Sequence, residues 1–320
     1  MFFNLAFCLL VWQDKFGRTV NINGEKIFKM TDFLPVFVVN RSKHLLQLGA
    51  MVNNDFGALA TFQESDNFLS GLRALDKPYF IDSGVFYVPK EYSAYSSPNQ
   101  VPWYLQVECF LEDDFWKRRL ILTKEDKIRQ KIKYFLDRCD QFSPDYVLAP
   151  DIIHEPLLSL YLARLALEEY GRKRRSYQLI GVAQVGYGLY HALDNKDDYQ
   201  SLSYSVTKQF LSALICEYRS LGYEYVALGG LLKSDNRNST GLTFGLSNSE
   251  FDHLLSWTRP NFVLGGLSLN RLSVLKKYQM WADSSGWIWW NDRYDESRFK
   301  GRDPMSEVFA PIEETYSPII

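Results

Sequence analysis

Short apolar runs that end in Gly, Asp or Gln alternate with longer stretches of helical period along most of the chain. Seven of these runs read as strands: PVFVVN (35–40), PYFIDSG (78–84), DYVLAPD (145–151), QLIGVAQVG (178–186), EYVALGG (224–230), NFVLGG (261–266) and QMWADSSG (279–286). Each is rich in β-branched or aromatic residues and bounded by turn formers. Helical stripes lie between them. Thr123 stands where it caps a helix whose Ile128, Ile132, Phe135, Leu136 and Cys139 share one face, and Ser143-Pro144 ends it. Pro156 suits a first helical turn and Gly171 closes that segment, while Phe210, Leu214, Ile215 and Tyr218 form a stripe closed by Gly222. Ser247 and Glu250 make a capping box ahead of Phe251, Leu254 and Leu255.

Strands that are apolar throughout and separated by helices imply a parallel sheet covered on its outer side, and six or more such units favour closure over an open sheet. The expected fold is therefore α/β, a (β/α)8 TIM-type barrel with insertions, occupying residues 1–320 as one domain. Seven strands are one short of eight, and the apolar run Phe2 to Trp12 is the candidate for the missing one. Residues 86–122, with Tyr, Pro and Trp interleaved, are too long for a βα connection and read as an insertion; residues 287–320 read as a Trp- and Arg-rich C-terminal extension.

Composition narrows the classes. With 320 residues, 46% of them hydrophobic, the chain can fill a core without staples, which excludes intrinsic disorder as its main state. The net charge of -2 gives no global argument for a nucleic-acid partner, so any such case rests on local sites. Cys8, Cys109, Cys139 and Cys216 lie far apart, and His44, His154, His191 and His253 show no ligand spacing, so neither a disulfide framework nor a structural zinc is indicated. A reducing cytoplasm fits best, and the N-terminal apolar run is too short to span a bilayer and lacks a basic region before it.

In a parallel barrel the chemistry collects where strands terminate, and the ends here carry Asp82, Asp151, Gln184, Gly229-Gly230, Gly265-Gly266 and Asp283. One Asp after a strand is ordinarily a turn former, as Asp82-Ser83-Gly84 illustrates; three on separate βα units are harder to dismiss. Two carboxylates across a pocket suit chemistry at an anomeric carbon, one attacking C1′ and the other moving the leaving group's proton. A third beside a Gln suits recognition of a guanine edge, since Asp accepts from ring N–H and exocyclic NH₂ while Gln donates to a carbonyl. Paired glycines let a planar ring approach the backbone and offer it an N–H.

The order YFIDSGVF, YVLAPD, IGVAQVG, YVALGGL, VLGG and WADSSGW resembles the barrel motifs of the tRNA-guanine transglycosylase superfamily over roughly residues 78–290. The resemblance implies Asp283 as nucleophile, Asp82 as proton-transfer residue, Asp151 and Gln184 as readers of the base edge, and Gly229, Gly230 and Ser83 beside the base. Val85 and Val185 replace family glycines, and the family's cysteine-rich zinc subdomain is missing. These departures look more like the DNA-modifying DpdA-type branch of bacteria and phages. That branch implies exchange of guanine in DNA for a free 7-deazaguanine of 7-cyano or 7-amido type, with no cofactor and no metal.

For contact with DNA the sequence offers Arg293, Arg298, Lys300 and Arg302 beside Trp287, a mixture of cations and stacking surfaces. Lys117-Arg118-Arg119 and the run Arg172 to Arg175 are weaker candidates, the latter because cations after a helix C-terminus are favoured by the dipole alone. The alternatives are a zinc-free enzyme acting on transfer RNA, a retaining glycosidase or nucleosidase that uses Asp82 and Asp283 with water, and a catalytically silent nucleic-acid-binding subunit.

Overall fold

A sheet whose strands are parallel and apolar on both faces needs helices outside and packed side chains inside. The computed structural model, which describes residues 12–13, 19–20, 32–84, 125–151, 156–184, 211–230, 248–284 and 303–310, meets both needs by closing the sheet on itself. Two short strands, β1 (Trp12–Gln13) and β2 (Thr19–Val20), pair antiparallel outside the barrel. The barrel strands are β3 (Leu34–Val38), β4 (Gly57–Thr61), β5 (Tyr79–Asp82), β6 (Tyr146–Leu148), β7 (Gln178–Gln184), β8 (Tyr225–Gly229), β9 (Phe262–Val263) and β10 (Trp281–Ser284). They run in chain order around the ring, and β10 pairs in parallel with both β9 and β3 to close it.

Helices α1 (Ser42–Ala50), α2 (Asp66–Arg73), α3 (Glu125–Phe142), α4 (Pro156–Tyr170), α5 (211–221), α6 (Asn248–Thr258), α7 (Leu272–Lys277) and α8 (Pro304–Phe309) accompany the strands. The stripe read from sequence on α3 is the buried one: Ile132, Phe135, Leu136 and Cys139 are all at most 1% exposed. That helix ends as expected before Pro144, with Ser143 in the left-handed region at φ 46°. Among the described residues no helix is long and apolar enough to cross a membrane.

The eighth strand is β4, sequence GALAT, rather than the N-terminal run, of which only Trp12 is described. Gly and Ala are poor strand formers, so β4 carries no propensity signal. Packing requires the glycine. A Cβ on Gly57 would come within 2.9 Å of Phe80 Cε2 and 3.1 Å of Val36 Cγ2. The proposed insertion at 86–122 and the C-terminal stretch around 287–302 lie outside the described residues.

Alternation with period two splits each strand between two cores. Phe37, Ala58, Ile81, Val147, Val226 and Ala282 face the helices, while Val36, Leu59, Phe80, Tyr146, Val182, Ala227, Phe262 and Trp281 fill the interior. Inside, the Phe80 and Tyr146 rings stack at 5.0 Å, and the Trp281 ring stands edge-on to both at 5.4 and 5.2 Å. Such pairs contribute about 0.5–1.5 kcal/mol each beyond their burial. They make a solid floor.

The run Arg172 to Arg175 connects α4 to β7, on the face where strands begin, opposite the strand ends. Its charges are used locally: Arg172 pairs with Glu169 at 2.8 Å, Lys173 with Asp137 and Asp140 at 2.7 and 2.6 Å, and the buried Arg175 side chain with Asp140. Lys173 and Arg175 thus tie this connection to α3, and Arg172 pairs back onto the end of α4.

Gly181 supplies a stability test. A Cβ there would lie 2.4 Å from Tyr218 Cδ1, and that ring cannot retreat because its hydroxyl donates to the Val182 carbonyl at 2.6 Å. Gly181→Ala is expected to cost about 1–3 kcal/mol, read as a lower urea midpoint at unchanged slope.

Candidate active site

The inward parity of the strands carries the polar residues to the mouth. On four strands the residue two positions before the polar or glycine end belongs to the floor: Phe80 before Asp82, Val182 before Gln184, Ala227 before Gly229, and Trp281 before Asp283. Asp151 arrives differently. It lies three residues beyond the end of β6, past Ala149-Pro150, and its carboxylate accepts a hydrogen bond from Gln184 Nε2. Thus Asp82, Asp151, Gln184 and Asp283, drawn from four βα units, meet at one end of the barrel, as the sequence reading expected.

Three carboxyls crowded over an apolar floor resist ionisation. Burial first, and then the charge of Asp82, push Asp151 up to about 8, against the opposing effect of the Gln184 amide. Burial likewise raises Asp283 to about 7; the Gly265 backbone N–H pulls it down and Asp82 pushes it up again. Asp82 itself is raised by burial, with the Gly84 and Ser83 backbone N–H groups and the Ser83 hydroxyl working against that rise. The set titrates as a unit, and close to neutral pH some of its members hold protons while others are charged. A site that must both attack as a carboxylate and donate a proton needs that division.

Three assignments change in detail. Ser83, expected to touch substrate, is 1% exposed and turns its N–H and hydroxyl to Asp82, so it is a partner of that carboxyl. Gly229 does not leave open backbone for a ring. A Cβ there would sit 2.6 Å from Gln184 Nε2, so the missing side chain is the slot that holds the Gln184 amide. Gln184, expected to donate to a base carbonyl, gives one N–H to Asp151, and its Oε1 is buried with no partner among the described residues. A buried acceptor of this kind calls for a ligand N–H. Gly230, at φ 77°, adopts the left-handed conformation that a glycine allows.

Two neighbours were missed by sequence reading. Gly265, at φ 65°, donates its backbone N–H to Asp283 Oδ1, and the next turn of chain returns Leu267 N–H to the Asp283 carbonyl at 3.0 Å. The signal for Gly265 is the Gly-Gly pair that ends VLGG; its N–H serves Asp283. Thr61 is the register partner of Asp82 and lies on the undetected strand β4. Trp287, Arg293, Arg298, Lys300, Arg302 and Lys117 to Arg119 lie outside the described residues, as do His154 and His191. Among the described residues no group of three or more His, Cys, Asp and Glu is arranged to hold a metal ion.

No protein-family model matches the chain, and no curated protein matches it. Solved structures similar to it include orotidine 5′-phosphate decarboxylase from Lactobacillus acidophilus, at 8% identity and TM-score 0.41, covering 87% of this chain and 100% of that one. Another is a protein from Burkholderia cenocepacia J2315 described as a phosphonomutase, at 9% identity and TM-score 0.45, covering 80% of this chain and 88% of that one.

The acid cluster has a stability signature. A carboxyl whose folded-state pKa lies above its unfolded value near 3.8 stabilises the fold below that value, and this contribution is lost as pH rises through the folded value of about 7 for Asp283. Asp283→Asn, which keeps the acceptor oxygen for Gly265, is expected to be more stable than wild type at pH 8 by on the order of 2 kcal/mol. The gain should vanish near pH 4. Thermal denaturation at both pH values reads it.

Proposed function

We propose that this barrel exchanges a guanine in DNA for a free 7-deazaguanine through a covalent sugar intermediate on Asp283. What carries the reading is that Asp82 acts electrostatically on Asp283 at the barrel mouth, while Asp151, on which Asp82 also acts, takes a hydrogen bond from Gln184. The first pair fits chemistry at C1′ and the second fits a base edge. The motif order in the sequence supports the same reading.

In this mechanism the target nucleotide leaves the stack and enters the mouth, at a cost of a few kcal/mol. Ionised Asp283 attacks C1′ as the bond to N9 breaks, and protonated Asp82 supplies the proton to the departing base. Burial raises the proton affinity of Asp82, which favours that role. The incoming 7-deazaguanine loses its N9 proton to Asp82 and displaces Asp283, so two inversions give net retention. Asp151 and Gln184 hold each base in turn, and a ring N–H satisfies the buried Gln184 Oε1. Both half-reactions use the same four side chains.

The test offers radiolabelled guanine in duplex DNA and in transfer RNA, each with 7-cyano-7-deazaguanine, and measures guanine release. Release from DNA, abolished in Asp283→Ala and slowed in both half-reactions by Asp82→Asn, is the expected result. Gln184→Leu should raise the apparent constant for free base by about tenfold or more, the effect of losing a buried partner worth about 1–3 kcal/mol. Release from RNA alone would transfer the same chemistry to a zinc-free RNA enzyme. Sugar cleavage by water without free base would favour a glycosidase. An active Asp283→Ala variant would overturn the nucleophile assignment.

A further inference from the structure

We propose that the turn joining β9 to α7 is a clamp that fixes Asp283 and selects which of its oxygens attacks, with Gly265 as the positioning residue. The turn holds Asp283 twice. Leu267 N–H donates to its backbone carbonyl at 3.0 Å, and Gly265 N–H donates to side-chain Oδ1. Gly265 aims its N–H inward because its φ of 65° is open to glycine and strained for most other residues. Gly266 completes the fit: a Cβ there would come within 2.4 Å of Val263 Cγ1, so the turn can lie flat on β9 only without one. Neither glycine is a mere strand terminator.

On the exchange reading, which this inference extends, the clamp has a chemical consequence. With Oδ1 occupied, Oδ2 is the atom that forms the bond to C1′ as the C1′–N9 bond breaks and its electron pair leaves with the base, which takes its proton from Asp82. In the resulting ester Oδ1 is the carbonyl oxygen and still faces Gly265. When the incoming base attacks C1′, the C1′–Oδ2 pair returns to the carboxylate, and the Gly265 N–H again meets full negative charge. A backbone donor costs no reorganisation at that moment. Among the described residues the ionisable group acting on Asp283 is Asp82 on β5; the register partner of Asp283 on β3 is the apolar Val36. The clamp, together with the backbone N–H of Asp283 itself, thus opposes burial and a like charge.

The test does not depend on turnover. In the full chain with isotope-labelled glycine amides and aspartate carboxyls, NMR titration should show the Gly265 amide proton and the Asp283 carboxyl moving together with one midpoint, and Asp283→Leu should abolish the amide's response. Gly265→Val, disfavoured at positive φ, should raise the Asp283 proton affinity by about tenfold, and Gly265→Asn, which tolerates that conformation, should restore the midpoint. In exchange assays the acidic limb of the pH profile should move to higher pH in Gly265→Val by the same factor and return in Gly265→Asn. A Gly265 amide indifferent to Asp283 protonation in the wild type overturns the clamp, even if every variant folds. A coupled titration in a protein that exchanges no base would keep the clamp and reject the exchange reading.

Discussion

Everything at the barrel mouth depends on burying like-charged groups together. Three carboxyls over a floor of Phe80, Tyr146 and Trp281 cannot all ionise, because the floor supplies no water and each charge raises the cost of the next. A closed parallel barrel imposes this arrangement economically. Its strands all end on the same side, and alternation with period two then places every second residue of each strand in the interior. Packing the floor therefore fixes the carboxyls two residues above it. Asp82 rides on Phe80, and Asp283 rides on Trp281.

The surrounding contacts divide the protons unequally. Asp283 is held by a backbone N–H that favours its charged form, and Asp151 by one side-chain amide, while Asp82 is coupled to both. Small residues make these contacts possible. Gly229 leaves the space in which Gln184 reaches Asp151, and Gly265 takes the backbone conformation that reaches Asp283. The stability given up by holding raised carboxyls at neutral pH is, in the proposed mechanism, the property that lets one of them donate a proton and another attack.

Much of this was legible in the sequence, and the gaps have physical causes. Strands such as QLIGVAQ and the stripe on α3 announce themselves by periodicity, and the polar residues that end those strands stand out against it. GALAT does not, because its Gly and Ala residues carry little strand propensity and Gly57 is required by the volume of Phe80 and Val36. The pairing of Asp151 with Gln184 spans 33 positions, and no local pattern predicts a side-chain contact at that separation. The reason for Gly229 was misjudged for the same cause, since its neighbour in space is a side chain from another strand. Arg175 looked like surface charge in a basic run, and only the fold reveals Asp140 beneath it.

In the proposed mechanism one barrel mouth both reads a base and attacks the sugar attached to it. A crystal structure of the protein with bound 7-cyano-7-deazaguanine tests this most directly. The base is expected to stack over the aromatic floor, with its N–H edge on Asp151 and Gln184 Oε1, and its N9 directed toward Asp283 with Asp82 within hydrogen-bond reach. A base bound away from the strand ends, or one seated there with its N9 turned from Asp283, would contradict it.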